Sequence, residues 1–205
     1  MKKQVHHFQR ILTTLLFLLG ILLSNDTLAI AHETKPSRAE IRMVNLEATL
    51  LVRAIKHLKW EDSILPPKEK GVKFIVAGKD NCLFKERLSF LITEGKISFN
   101  GRKIEIIACK NSLEALDMAK KDALIMCIFL LSSETKTWER SKYPERDGLL
   151  IYGQGDGYRK KGLPLSSRVE NNRIKLSVNL SRMNVLKLRI DPHFIGLNRV
   201  VEFSK

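Results

Sequence analysis

The densest group of chemistry-bearing residues is Gly153-Gln154-Gly155-Asp156-Gly157, followed by Arg159-Lys160-Lys161. Glycines beside cations are the materials of a phosphate-cradling loop. The spacing, however, is neither the dinucleotide fingerprint nor a P-loop, and no helical pattern opens after it. The plainer reading is a mobile turn. Ser132-Ser133-Glu134 closes an apolar run, at the kind of strand end where α/β folds take ligands. With no base identifiable beside it, it reads as a capping or turn segment. No G-x-S-x-G elbow occurs.

Of five histidines, His6 and His7 fall in an N-terminal apolar leader. His32, His57 and His193 lack ligand spacing with one another or with the cysteines. Cys82, Cys109 and Cys127 form no CxxC pair and have no activating neighbour in sequence, which disfavours a thiol enzyme. No catalytic residue, metal site or cofactor is expected, and the chain reads as a non-enzyme.

The elements that would position these residues are clearer. Val72 to Gly78, VKFIVAG, is a short apolar and β-branched run ending in glycine, and a helical pattern follows it from Cys82 to Ile92. Ile104 to Ala108 and Leu124 to Leu131 repeat the theme at βαβ spacing. The third run is apolar throughout and should be central. Between them, Leu83, Phe84, Leu88, Leu91 and Ile92 should face inward on one helix, which Gly95 ends. Asn111-Ser112-Leu113-Glu114 has the form of an N-cap with an acid three residues on, with Leu113, Leu116 and Ala119 facing the sheet.

Upstream, Met43 to Trp60 predicts a helix with Leu46, Leu50, Leu51, Ala54, Ile55 and Leu58 buried and Glu47, Arg53, Lys56 and Lys59 wet. Trp60 should close it. Ser132 to Tyr143 reads as loop and short helix, and Gly148 to Tyr152 as a fourth strand. Leu163 to Val169 and Arg173 to Leu180 flank Asn171-Asn172, a pair suited to a tight hairpin. Ile174, Leu176, Val178 and Leu180 alternate with polar residues, as in a strand wet on one side. Asp191-Pro192 should open a terminal helix burying Phe194, Ile195, Leu197, Val200 and Val201. The fold class is therefore α/β. We expect a three-layer, Rossmann-like domain with a mostly parallel central sheet, helices on both faces and a C-terminal antiparallel hairpin extension.

The 205 residues begin with Lys2, Lys3 and Arg10, then the uncharged apolar run Ile11 to Leu23. That run is too short for a span, which needs roughly 20 residues. Small residues at Thr27-Leu28-Ala29 and Ala29-Ile30-Ala31 complete a secretory signal pattern. The expected organisation is a cleaved Sec signal peptide over 1–31, a flexible mature N-terminus over 32–42 and one α/β domain over 43–205. No other stretch is apolar enough to span. The formal charge of +14 falls to about +12 after cleavage and favours anionic partners. An exported chain rarely meets nucleic acid, and the cations are scattered, as on a solvated basic surface. Export also permits disulfides. Cys82 and Cys109 both fall on the carboxyl edge of the sheet. A bridge between them would close a loop of about 27 residues and contribute roughly 3 kcal/mol. Free or differently paired thiols are the alternative. Cys127 looks like a buried small hydrophobe.

Four stretches, in order and over nearly the whole mature chain, resemble the YfiR/HmsC family of periplasmic regulators: LEATLLVRAIKHLKW ending at Trp60, VKFIVAGKDNCLF containing Gly78, CIFLLSSE over 127–134, and RIKLSVNLSRMNVLKLRI containing Asn179 with FIGLNRVV. The chain departs from the family at Glu61, where the family usually has proline, and at Arg182, Asn184 and Arg189, where it has small residues. Met126 and Cys127 compete for the family's cysteine position. The resemblance implies a protein that binds the periplasmic domain of an inner-membrane diguanylate cyclase and represses it. That would lower cyclic-di-GMP and biofilm formation. It also implies a homodimer, disulfides that affect stability, and an outer-membrane lipoprotein as a further partner. Trp60, Gly78 and Asn179 are the matching structural positions. The alternatives are a periplasmic small-ligand-binding module and a hydrolase or redox enzyme.

Overall fold

The computed structural model describes residues 35–80, 83–138, 146–171, 173–191, 194 and 201–204. The expected leader over 1–31, Cys82, Asn172 and most of the expected terminal helix lie outside the described residues. Met1–Lys35 and Pro36–Lys205 separate as two units, and the description concerns the second.

Helix α1 spans Arg38–Lys56, so it starts inside the segment expected to be flexible. The cause is a capping box. The Ser37 hydroxyl accepts from the Glu40 N–H at 3.2 Å, and the Ser37 N–H donates to the Glu40 carboxylate at 2.7 Å. Two otherwise orphaned donors are thereby satisfied. The helix also ends early. Leu58–Trp60 is a strand, β1, and not the last turn of a helix. It pairs antiparallel with β8, Leu188–Ile190, so long-range pairing overrides the helical spacing of Leu58.

The remaining elements are β2 (Val72–Ala77), α2 (Phe84–Glu94), β3 (Ile104–Cys109), α3 (Ser112–Lys121), β4 (Ile125–Leu130) and the single turn α4 (Thr135–Trp138). They continue with β5 (Leu150–Gly153), β6 (Leu165–Glu170), β7 (Arg173–Asn179), α5 (Leu180–Val185) and β9 (Val201–Ser204). The main sheet has seven strands in the order β3-β2-β4-β5-β6-β7-β9. From β3 to β6 every pairing is parallel. Only β6 with β7 is antiparallel, and β9 then lies parallel to β7. The expected hairpin is present, with its first arm still belonging to the parallel sheet. Its turn starts at Asn171, whose φ of 49° is a conformation that asparagine tolerates. Val201, expected on a terminal helix, is in strand β9.

Two cores flank the sheet. One joins α1 and α2 to Phe74, Val76, Phe129 and Tyr152; the other joins α3 to Ile75, Ile128, Leu130 and Ile151. Strand β4 is buried along its whole length, as its unbroken apolar run predicts. Three sequence assignments of facing residues are overturned. Leu83 is 60% exposed and Leu113 is 55% exposed, each at the start of its helix. On α1, Leu51, Ala54 and Ile55 are buried as expected, together with Val44, Glu47, Ala48 and Val52, whereas Leu46 is 46% exposed. The buried stripe is therefore shifted around the helix from its expected centre, and a carboxylate goes inside.

Candidate functional site

That carboxylate organises the carboxyl edge of the sheet. Glu47 is only 6% exposed. Its Oε1 accepts from the Tyr152 hydroxyl on β5 and from the Ser167 hydroxyl on β6. Its Oε2 accepts from Gln154 Nε2 at 2.6 Å. Ser167 Oγ in turn accepts from the Gly155 N–H at 3.2 Å, and Gln154 Oε1 accepts from the Ser132 N–H, also at 3.2 Å. One charged group therefore ties α1 to β5, β6 and the loops after β4 and β5. Burying a carboxylate is costly unless such donors replace its water. Here Tyr152, Ser167 and Gln154 supply them. Burial, and then the Glu47 charge, push the Tyr152 phenol well above its ordinary range. The phenol accordingly stays a donor. Both carboxylate oxygens are engaged, and the arrangement suits a clasp.

The glycine-rich loop, expected as a mobile turn, is a packed one. Asp156–Lys161 forms a 3₁₀ turn with Tyr158 buried inside it. The Tyr158 hydroxyl donates to the Leu131 carbonyl at 2.9 Å. A side chain at Gly153 would put its Cβ 2.3 Å from the Tyr158 ring, so glycine is needed there for close approach. Two of the loop's N–H groups are spent within the fold, since Gln154 and Gly155 donate to the Leu130 carbonyl and the Ser167 hydroxyl.

Ser132-Ser133-Glu134 caps, as its composition suggests. Buried Glu134 accepts from the Ser112 N–H at the start of α3 at 2.8 Å, and Ser133 Oγ accepts from the Lys79 N–H at 2.9 Å. Gly78, with φ of 116°, lies beneath, and a Cβ there would sit 2.6 Å from Ser133 Oγ. Asn111 caps α3 by accepting from the Glu114 N–H at 2.9 Å. Asn179 does the same for α5, accepting from the Arg182 N–H at 3.0 Å. Trp60 is buried and donates from Nε1 to the Gly148 carbonyl at 2.7 Å. Trp60, Gly78 and Asn179 thus each have a structural task.

Cys109 and Cys127 are free, buried thiols. Cys109 Sγ lies 3.3 Å from Met118 Sδ, and its expected partner Cys82 is outside the described residues. His57 is half-buried, with its ring 6.2 Å from that of Phe194. No cluster of three metal-ligating side chains occurs among the described residues, and no helix among them is long and apolar enough to cross a membrane.

On the other face of the extension, charges meet. Arg168 reaches Glu170 and Glu202, Lys175 reaches both acids, and Arg159 lies 3.8 Å from Glu202. Asp156, Arg159, Lys160, Arg168, Val169 and Glu170 line an open hollow of about 360 Å³ there.

The Glu47 clasp is what the sequence reading missed. Its signal was present: Glu47 lies three residues after Val44 and four before Leu51, on the buried stripe. No family model matches the chain, and no curated protein matches it.

Proposed function

We propose that this is a periplasmic regulator that binds the periplasmic domain of an inner-membrane diguanylate cyclase and holds it inactive, without catalysis of its own. The ordered resemblance of four stretches to the YfiR/HmsC family carries the reading. One structural observation supports it. The carboxyl edge of the sheet, where α/β folds commonly hold small ligands, is filled by the protein's own Gln154, Glu134, Ser133 and Tyr158. A protein whose ligand edge is occupied by its own side chains works better through its outer surface.

Repression would be a population shift, in which the protein binds the inactive cyclase more tightly than the active one. The basic charge would speed encounter with an acidic receptor face. A homodimer and an outer-membrane lipoprotein belong to the same proposal. The test has two arms. The mature protein should retain the cyclase in a pull-down, and deletion should raise cyclic-di-GMP and surface attachment. Unchanged levels after deletion would end the proposal.

The hollow beside Arg159 and Arg168 favours a second reading, a small-ligand module. A thermal-shift screen with anionic cell-envelope molecules separates the two, because a specific ligand must raise the melting temperature.

A further inference from the structure

Strand β3 ends the main sheet, and among the described residues no strand lies beyond it. It pairs with β2 in unbroken register over all six residues. The carbonyls of Lys103 and Cys109 accept from the Val72 and Gly78 N–H groups at 2.9 and 3.2 Å. In a parallel ladder alternate residues turn both backbone groups to the same neighbour. Lys103, Glu105, Ile107 and Cys109 therefore face β2. Ile104, Ile106 and Ala108 turn their N–H and C=O groups away from the sheet.

Edges of this kind are usually blunted by shortness, proline, a bulge or a cover. The opposite edge is blunted in that way, since β9 has four residues and its Glu202 is engaged by Arg168 and Lys175. β3 has six residues, no proline and no bulge against β2, and Ile104, Ile106 and Ile107 are half-buried with Ala108 exposed. A single acid, Glu105, interrupts its apolar sequence.

We infer that the free edge of β3 is a strand-addition site for an extended segment of another protein, apolar in its middle and acidic at both ends. Main-chain hydrogen bonds to Ile104, Ile106 and Ala108 would supply affinity. Charge selects the occupant. Lys103 and Lys110 bracket the strand, both exposed and neither in an ion pair among the described residues. Lys68 and Lys70 add to the Lys103 end, where Gly71 lies against the Lys103 carbonyl. A second copy fits poorly. Antiparallel self-pairing centred on Ile106 sets Cys109 opposite Lys103 and Arg102 opposite Lys110, so it offers neither lysine an acid. The inference rests on the docking reading above only in giving the protein a partner.

The test uses the full mature protein and a capped synthetic peptide that alternates valine and threonine between terminal aspartates. Binding is followed by calorimetry, and backbone amide exchange by NMR. Saturable binding is expected, with exchange slowed at Ile106 and Ala108 and unchanged in β4. Ala108→Pro should abolish it, because the lost N–H points outward and the fold does not use it. Lys103→Glu with Lys110→Glu should weaken binding about tenfold, the equivalent of two exposed ion pairs. A peptide with terminal lysines should bind that double variant better than the parent. Absence of saturable binding, binding that leaves the β3 amides unprotected, or protection that arises from dimerisation without peptide would each overturn the inference. No cyclase is present in this assay, so its failure is distinct from failure of the regulatory proposal.

Discussion

The Tyr152 hydroxyl donates to the Glu47 carboxylate, joining β5 to α1 across 105 positions of chain. Helix α1 precedes the whole main sheet in sequence, and this bond with its two companions ties it to β5, β6 and the loop after β5.

Glu47→Gln should destabilise the domain by about 2–4 kcal/mol and Tyr152→Phe by about 1.5–3 kcal/mol, as buried hydrogen bonds to a charge do. The double variant should lose less than the sum, because either single change already removes the charge-assisted bond that the two residues share. Urea unfolding of the four proteins measures the coupling. Strict additivity would mean that the clasp contributes nothing as a unit.

The two buried tyrosines set an alkaline limit. Burial pushes both phenols up, and for Tyr152 the Glu47 charge adds to it. An unfolded chain ionises its tyrosines near the ordinary value of about 10. The stability carried by the neutral phenols is intact below that pH and is lost as pH rises from it toward the native values. In a spectrophotometric titration, Tyr152 and Tyr158 should give phenolate absorbance only as the circular dichroism of the fold is lost. Full ionisation of all three tyrosines in the folded protein near pH 10 would contradict this.

Trp60 and Gly148 should fail in different ways. Trp60→Phe leaves the Gly148 carbonyl without its 2.7 Å donor and should cost about 1–3 kcal/mol. Gly148→Ala meets both a φ of 75° and Ile64, whose Cδ1 would lie 2.8 Å from the new Cβ. Gly78→Ala has the same two problems against Ser133 and Glu134. Each glycine change should lower stability by more than about 1 kcal/mol, read as a fall in melting temperature.

Cys127 should be inert. It is fully buried, and burial pushes its thiol well above the usual range, which suppresses the reactive thiolate. Iodoacetamide should label Cys127 in denaturant and leave it unlabelled in the native protein, as peptide mass mapping would report. Rapid native labelling would show that β4 opens.

Much of the α/β plan was legible in the sequence. The mainly apolar runs at 72–78 and 124–131, the Asn111 cap and the alternation from Ile174 to Val178 each act through nearest neighbours, so the local chain contains the information. The cap at Ser37 was equally local, although the helix start was expected at Met43. Glu47 was less legible, because its place on the buried stripe matters only if donors wait opposite it. Those donors are Tyr152, Gln154 and Ser167, more than a hundred positions away.

What the sequence by itself determined is the order of strands and helices from β2 to β7, the buried β4 and the basic charge, for these follow from residue type and short-range spacing. Only the tertiary structure decided that α1 turns Glu47 inward, that Leu58–Trp60 leaves the helix to pair with Leu188–Ile190, and that β3 stands at an open edge. A helix's rotation about its axis and a strand's choice of neighbour are set by contacts between distant segments, and no local pattern carries that energy.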